Sequence, residues 1–377
     1  MSTLASFQNQ VKPNWCPGCG DYAVQMALQQ AAVKLNLEPH QLALVSGIGC
    51  SGRIGGYLYA YGMHTTHGRA LPFAQGVKLA NPELTVIACG GDGDGFAIGT
   101  AHTIHAMRRN VNITYILMDN HVYGLTKGQT SPRSDVGFKT KTTPTGNIET
   151  PISALELALA SGATFVAQGF SAQLPQLVDL IVAAVRHEGF SFVNVFSPCV
   201  TFNHTNTYEW FREHLSDVKD IAGYDPHDKG AAARHIMEKE GMLTGLLYEN
   251  DRASYEQASG LAGFNTIKTL KKCRRQTLTN CWKVLSKKKI SKIKNTTQRV
   301  VFFINSTLKH IQKQGNNKGI DKINEQTADQ RYDKISFRRR PVTCNDSIHI
   351  SHGIRRGTHT EATAGSGNNS GLIIAPH

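Results

Sequence analysis

The first 250 residues alternate short apolar runs with stretches of helical periodicity. The apolar runs are rich in Val, Ile, Leu and Phe and have no polar face. This is typical of strands in a parallel sheet that is covered on both sides. The pattern predicts strands at 41–48, 84–89, 113–118, 164–167 and 190–196.

The stretches between these strands have the spacing of amphipathic helices. In the clearest case, residues 174–186, apolar side chains recur every three or four positions and form one stripe. Further helices are predicted at 23–35, with Asp21 as the N-cap, and at 99–109 and 152–160. Strands that alternate with helices predict a doubly wound α/β domain with three layers, α/β/α, and a mostly parallel sheet. Ligands of such domains bind beyond the carboxyl ends of the strands.

Composition changes near residue 250. The chain has a net charge of +13, yet residues 1–250 contain 17 Lys and Arg against 20 Asp and Glu. Residues 251–377 contain 24 against 8, interspersed with polar segments that have no usable period. The sequence therefore predicts a domain at 1–250 and a basic, disordered or aberrant tail at 251–377. The tail is either a frameshift or read-through product or an electrostatic arm for nucleic acid or an anionic membrane.

The remaining composition narrows the class of protein. No apolar run approaches the roughly 18 residues that a membrane span needs, and no apolar leader follows Met1. We therefore expect a cytoplasmic protein without a membrane span. Eight unevenly spaced cysteines do not resemble a secreted disulfide framework, so we expect some of them to bind metal or to react.

Oxygen donors follow two of the predicted strands. Asp92 lies in a glycine-rich turn after the second strand, and Asn120 follows the third. If these strands are neighbours, both side chains enter one crevice, where their oxygens suit Mg²⁺ that also binds a diphosphate. Each segment taken alone also fits an ordinary turn.

The cysteines allow several interpretations. Cys16 and Cys19 are separated by Pro-Gly, so one tight turn could present both thiolates to one metal centre. From the residues alone this is half a zinc site, a redox dithiol or half an iron–sulfur site. Cys50 and Cys199 each follow a predicted strand, whereas Cys89 lies within one and is expected in the core.

The Gly-Asp-Gly segment at 91–93 followed by Asn120 resembles the signature of thiamin-diphosphate enzymes. Beside it, Cys16, Cys19, Cys50 and Cys199 resemble the four cluster ligands of the β subunit of 2-oxoacid:ferredoxin oxidoreductases. The resemblance covers residues 14–256 and includes the segments 67–70, 76–79 and 123–129.

The resemblance implies thiamin diphosphate, Mg²⁺ and a [4Fe–4S] cluster as cofactors. It implies Asp92, Asn120 and the Val122 carbonyl as magnesium ligands. It also implies that Arg53, and more weakly Lys127, recognise the substrate, which favours 2-oxoglutarate. The positions that would line the cofactor are Ile48, Gly49, Cys50, Ser51, His67, Gly93, Asp94, Gly124 and Leu125.

The implied reaction is oxidative decarboxylation of a 2-oxoacid with coenzyme A to acyl-CoA and CO₂, with electrons passing to ferredoxin. In this family the carboxylate that activates thiamin belongs to the α subunit, so we expect activity only with that partner. A pyruvate or branched-chain 2-oxoacid enzyme is the alternative within the class. From another class, the four cysteines could bind zinc in a nucleic-acid-binding protein that uses the basic tail.

Overall fold

The computed structural model describes residues 2–268, which contain ten strands. In chain order they are β1 (Leu42–Ser46), β2 (Tyr61–His64), β3 (Thr85–Gly91), β4 (Ile113–Asp119), β5 (Val122–Tyr123), β6 (Gln129–Thr130), β7 (Phe165–Phe170), β8 (Phe190–Phe196), β9 (Ser216–Asp217) and β10 (Leu243–Glu249). Eight of them form one sheet in the order β2-β1-β3-β4-β8-β7-β10-β9. Strands β5 and β6 form a separate antiparallel hairpin.

The five predicted strands are confirmed as β1, β3, β4, β7 and β8, and every pair among them is parallel. Strand β10 runs antiparallel to β7. The sequence pattern missed β2 because this edge strand is largely exposed and has no apolar run. It missed β10 because Gly245, whose φ is +116°, interrupts the run and accompanies a register shift.

Eight α-helices accompany the sheet. They are α1 (Asp21–Lys34), α2 (Ala70–Ala80), α3 (Thr100–Arg109), α4 (Ala154–Ala160), α5 (Leu174–Arg186), α6 (Tyr208–His214), α7 (Lys229–Glu238) and α8 (Tyr255–Ala258) among the residues that the structure describes. The four helices predicted from periodicity are confirmed as α1, α3, α4 and α5, with boundaries shifted by up to two residues.

The helices cover both faces of the sheet. Along β1, Leu42 and Leu44 belong to a core cluster that includes buried side chains of α1 and α5, while Ala43 and Val45 belong to a second cluster that includes those of α2, α3, α4 and α7. Alternate side chains of the same strand therefore enter different cores, and the predicted three-layer α/β/α architecture is confirmed. Each Leu, Ile or Val buried in this way contributes about 1.5–3 kcal/mol.

Helix α1 begins differently from the prediction. Asp21 is its first residue, whereas Gly20 occupies the N-cap position and makes no side-chain cap. The expected N-cap role of Asp21 is therefore wrong. Its carboxylate instead points into the protein, is 1 % exposed and accepts a hydrogen bond from Ser197 Oγ at 2.7 Å.

The chain after residue 250 remains attached to the sheet domain. Asn110 Nδ2 donates to the carbonyls of Arg252 and Ala253 at 3.1 Å each, and the Asn112 N–H donates to the buried Glu256 carboxylate at 3.2 Å. The domain division at 250 stays a prediction. Most of the basic tail, residues 269–377, lies outside the described residues, as do both hypotheses on its role.

None of the helices between residues 2 and 268 combines the length and apolar character that a membrane span requires.

The order of the strands determines where the chemistry-bearing loops meet. Strands β1, β3, β4 and β8 are consecutive in the sheet and parallel, so their carboxyl ends lie along one edge. The loops that follow them contain Cys50, Asp92, Asn120 and Cys199.

Candidate active site at the carboxyl edge of the sheet

Asp92 and Asn120 lie at the ends of neighbouring strands. Gly91 of β3 pairs with Met118 of β4, which places the two polar residues side by side along the edge. Asp92 is 2 % exposed, and Ser131 Oγ donates to its Oδ2 atom. The side-chain oxygen of Asn120 accepts the N–H of Val122 at 3.1 Å. The structure thus brings the three predicted magnesium ligands into one region.

The carboxylates at this edge have opposite electrostatic environments. Burial, followed by the nearby charge of Asp119, raises the pKa of Asp92 to about 7. Burial would also raise the pKa of Asp119, but the Arg133 guanidinium and the His121 ring outweigh it and hold that pKa well below its usual range. Arg133 Nε lies 2.9 Å from Asp119 Oδ2. Asp119 is therefore charged at neutral pH, whereas Asp92 is only partly ionised near pH 7, and a bound cation would displace its remaining proton.

Asp94 connects two loops of the edge. Its Oδ1 atom accepts the N–H of Ile48 at 2.9 Å and the N–H of Gly68 at 2.8 Å. No side chain fits at Gly47, because an added Cβ would lie 2.0 Å from Asp94 Oδ2. The Nδ1 atom of His67 is buried 3.8 Å from Asp94 Oδ1 and has no hydrogen-bond partner.

The β5 hairpin packs onto the Asp92 turn through Tyr123. An added Cβ at Gly93 would lie 2.1 Å from the Tyr123 ring, and the tyrosine hydroxyl donates to the Gly93 carbonyl at 3.2 Å. Burial, followed by the Asp92 charge, raises the pKa of Tyr123 to about 12. The next residues turn outward: Leu125 is 38 % exposed, and Lys127 is exposed with φ at +82°.

Cys50 and Cys199 converge on Gly124. An added Cβ at Gly124 would lie 3.5 Å from the Cys50 sulfur and 3.6 Å from the Cys199 sulfur. Burial is the main cause that raises the pKa of both thiols, to about 12 for Cys50. The backbone N–H groups of residues 201–203 favour the thiolate of Cys199 and so oppose the rise of its pKa.

The turn with Cys16 and Cys19 lies against the Cys199 loop. It is closed by a hydrogen bond from the Cys19 N–H to the Cys16 carbonyl at 3.0 Å, and Gly18 adopts φ of +82° beside Val200. Burial and then the Asp21 charge raise the pKa of the Cys19 thiol, and the Cys199 and Cys50 thiols add to this effect. The turn and the two strand-end cysteines therefore form one neighbourhood, with Cys16 on its exposed side.

Within residues 2–268, no three His, Cys, Asp or Glu side chains are grouped as a single metal ion would require. A single zinc ion needs all its sulfurs about 2.3 Å from one point. The four thiolates of a [4Fe–4S] cube bind different irons, so they surround a larger volume.

Arg53 lies beside Cys50 on the 3-10 turn Ser51–Gly56. Its guanidinium donates to Asn14 Oδ1, which also accepts the Tyr57 hydroxyl at 2.6 Å, and its charge opposes the rise in the pKa of Cys50. Ser51 faces the opposite way, since an added Cβ at Gly91 would lie 3.1 Å from its Oγ atom. Gly49 has φ of +131°, which lets the chain turn sharply before Cys50.

Several residues of this edge were missed by sequence reasoning. One is Asp21, a buried residue that directly follows the cysteine turn. The others are three loop residues that donate hydrogen bonds to the residues at the strand ends, namely Ser131, Arg133 and Asn203. The position of Asp21 directly after the Cys-x-x-Cys-Gly segment could have indicated a role. The other three lie in loops without periodicity, so the sequence carried no signal for them.

Comparison with known proteins identifies related families. Residues 47–195 match the family model for the thiamine pyrophosphate enzyme, C-terminal TPP binding domain. Residues 199–261 match the model for the C-terminal part of the pyruvate ferredoxin oxidoreductase beta subunit. The two matches divide the site, since the first contains Asp92 and Asn120 and the second begins at Cys199.

Individual relatives agree with these models. The 2-oxoacid:ferredoxin oxidoreductase 1, subunit beta, of Aeropyrum pernix is 41% identical over 67% of this chain and 83% of its own length. The 2-oxoglutarate synthase subunit KorB of Archaeoglobus fulgidus is 43% identical over 60% of this chain and 86% of its own length.

A solved structure also matches. It is the 2-oxoglutarate:ferredoxin oxidoreductase from Magnetococcus marinus with 2-oxoglutarate, coenzyme A and succinyl-CoA bound. The match has a TM-score of 0.67 at 40% identity and covers 71% of this chain and 91% of that one. The resemblance inferred from the cysteine and Gly-Asp-Gly segments is thereby confirmed, and the chain belongs to the family of 2-oxoacid:ferredoxin oxidoreductase β subunits.

Proposed function

We propose that the chain is the β subunit of a 2-oxoglutarate:ferredoxin oxidoreductase that contains thiamin diphosphate, Mg²⁺ and a [4Fe–4S] cluster. The observation that carries the proposal is the convergence of Cys50 and Cys199 on Gly124, one residue after the tyrosine that packs on the Asp92 turn. An electron outlet and a diphosphate site would then be adjacent. This is what oxidation of a thiamin-bound carbon by single electrons requires.

The residues around Asp92 fit a magnesium diphosphate. Asp92, Asn120 and the Val122 carbonyl would bind Mg²⁺, which prefers oxygen ligands and keeps part of its shell for phosphate oxygens. Any proton on Asp92 would leave as the cation enters, because burial and the Asp119 charge are what raise its pKa and a bound cation opposes both. Asp94 holds the loops of Ile48 and Gly68 in place around the crevice. When bound, thiamin diphosphate supplies the electron sink for loss of CO₂.

The cysteine thiols fit a cluster whose binding removes their protons. The raised thiol pKa values mean that these residues are protonated without metal, so iron would replace protons on binding. The backbone N–H groups of residues 201–203, which favour the Cys199 thiolate, would help to stabilise it when it is bound to iron. Trp15 Nε1 donates to the Cys50 carbonyl at 2.7 Å and limits the movement of that loop.

Arg53 is the proposed determinant of the substrate. A guanidinium binds a second carboxylate with two hydrogen bonds, and 2-oxoglutarate has such a carboxylate whereas pyruvate does not. Lys127 would add a weaker positive charge. For R53Q we expect kcat/KM to fall about 10- to 100-fold for 2-oxoglutarate and little for pyruvate. Arg186→Gln, on α5 away from the edge, serves as the matched control, and an equal loss for both substrates would contradict the assignment.

The proposed activity depends on partners. We propose that the α subunit supplies the carboxylate that activates thiamin, that coenzyme A accepts the acyl group, and that ferredoxin accepts the electrons in the cytoplasm. The isolated chain should therefore be inactive. Turnover of 2-oxoglutarate by the purified chain without an α subunit would refute this part.

The decisive experiment compares two cysteine variants in the anaerobically purified α–β complex. C199S is expected to lose iron, sulfide and the broad absorption near 400 nm, together with 2-oxoglutarate-dependent reduction of ferredoxin. C89S is the control, because Cys89 is fully buried within β3, and it should keep all four. A colourless wild-type protein with stoichiometric zinc would refute the cluster and favour the zinc alternative.

A further inference from the structure

Asn203 lies four residues after Cys199 and is 2 % exposed. Its main-chain N–H donates to the Cys199 carbonyl at 3.1 Å. The backbone of Asn203 therefore holds the loop that begins at this cysteine. A movement of Asn203 changes the hydrogen bonding of that loop.

The side chain of Asn203 reaches the other half of the site. Its Nδ2 atom donates to the main-chain carbonyl of Asn120 at 3.1 Å, although the two residues are 83 positions apart. The same Nδ2 atom donates to Asn206 Oδ1 at 2.9 Å. The Oδ1 atom of Asn203 accepts the N–H groups of Thr205 and Asn206 at 3.0 Å each. These contacts fix the orientation of the amide, because reversing it would place like groups together.

The other end of this contact is anchored as well. Asn206 is 2 % exposed, and its Nδ2 atom donates to Asp135 Oδ2 at 2.9 Å. Asn203 therefore cannot follow a shift at Asn120 by simple rotation of its side chain. A displacement of the Asn120 carbonyl would be transmitted to the backbone of Asn203 and so to the Cys199 carbonyl that its N–H binds.

We propose that Asn203 is a positioning residue that couples the loop of the magnesium ligand Asn120 to the loop of the sulfur ligand Cys199. Binding of magnesium and thiamin diphosphate at Asn120 then orders the loop 199–203, and by reciprocity a metal bound at Cys199 strengthens binding at Asn120. The identity of the two bound groups rests on the proposed function. The contact itself rests on the hydrogen bonds of Asn203.

The test uses N203D in the full-length chain, in complex with its α subunit. Aspartate has the same shape, but it places an oxygen against the Asn120 carbonyl where the amide donated. The control is N110D. Asn110 is also 2 % exposed and donates through Nδ2 to two carbonyls, those of Arg252 and Ala253, but it lies outside the carboxyl edge. A general loss of stability would affect both variants.

The first measurement is hydrogen exchange in cluster-free complex, with and without Mg²⁺ and thiamin diphosphate. In wild type and N110D we expect the amides of residues 201–203 to exchange about five- to tenfold more slowly with the ligands, as one hydrogen bond provides. N203D should lose this response. The proposal is overturned if N203D keeps the response, if N110D loses it equally, or if wild type shows none.

The second measurement separates this inference from the proposed function. In iron-loaded complex, thiamin diphosphate should change the electron paramagnetic resonance spectrum of the reduced cluster in wild type and N110D, but not in N203D. A spectrum of N203D that responds as wild type does would overturn the coupling. Wild-type complex that binds no iron would refute the cluster, while the exchange data on cluster-free protein would still decide the role of Asn203.

Discussion

Substitution of Gly20 by alanine is expected to separate the cysteine turn from the Cys199 loop. Gly20 has φ of −61° and ψ of −24°, so its backbone conformation accepts any residue. The obstacle is space, because an added Cβ would lie 2.6 Å from Ser197 Oγ, 2.7 Å from Ser197 Cα and 2.8 Å from Ser197 C. Two of these are backbone atoms, which cannot rotate away.

The cost follows from the bonds that hold the two segments together. The Ser197 N–H donates to the Asp119 carbonyl at 2.8 Å, so the Cys199 loop is fixed to β4 and the start of α1 must move instead. That movement breaks the bond from the Gly20 N–H to the Pro198 carbonyl, at 3.3 Å, and the bond from Ser197 Oγ to Asp21. The first contributes about 0.5–1.5 kcal/mol and the second, to a carboxylate, about 1.5–3 kcal/mol. Alanine recovers about 0.4–1 kcal/mol by restricting the unfolded chain, which leaves a net loss of about 1–4 kcal/mol.

Urea unfolding followed by circular dichroism measures this loss directly. Gly76→Ala is the matched control, because Gly76 is exposed within α2 and an added Cβ meets no atom within 4 Å. The control should gain about 0.4–1 kcal/mol. Equal free energies of unfolding for G20A and G76A would refute the close packing of the cysteine turn on Ser197.

Three further predictions concern the proposed magnesium site and the end of the domain. The raised pKa of Asp92 means that between about pH 4 and 7 the folded protein keeps a proton that the unfolded chain has lost. The free energy of unfolding of the cofactor-free protein should therefore fall as the pH rises through 7, and the Mg²⁺ affinity measured by calorimetry should increase. A free energy of unfolding that does not change with pH would contradict the burial of this carboxylate. Ser131→Ala should weaken Mg²⁺ binding about 10- to 100-fold by removing the donor to Asp92, whereas Ser153→Ala, at the N-cap of α4, should not change it. A chain that ends at 250 should melt at a lower temperature than one that ends at 268, since it lacks the hydrogen-bond partners of Asn110 and Asn112; equal melting temperatures would count against these contacts.

The parts of the fold that the sequence predicted are those with strong periodicity. Strands β3, β4 and β8 are buried on both faces, so their apolar runs were unambiguous, and α5 has a continuous apolar stripe. The edge strand β2 lacked such a run because solvent covers it. Asp92 and Asn120 were predictable because each directly follows a clear strand. Ser131 and Asn203 reach the site through hydrogen bonds from irregular loops. Such loops have no periodic pattern that the sequence could reveal.

The proximity of Cys50 and Cys199 could not be predicted from their spacing in the sequence, because it depends on the order of the strands in the sheet. The cysteines follow β1 and β8, which are separated by β3 and β4. Three strand spacings of about 4.8 Å place the strand ends roughly 14 Å apart, so both loops must lean inward for the sulfurs to approach. They do so over Gly124, where any Cβ would lie 3.5 Å from one sulfur and 3.6 Å from the other. At these distances a Cβ would make ordinary van der Waals contact with both sulfurs, so residue 124 borders the shared cysteine site, and it directly follows Tyr123, which packs on the Asp92 turn. The thiamin and cysteine halves of the edge thus depend on one segment, which explains why neither half could be fully predicted without the other.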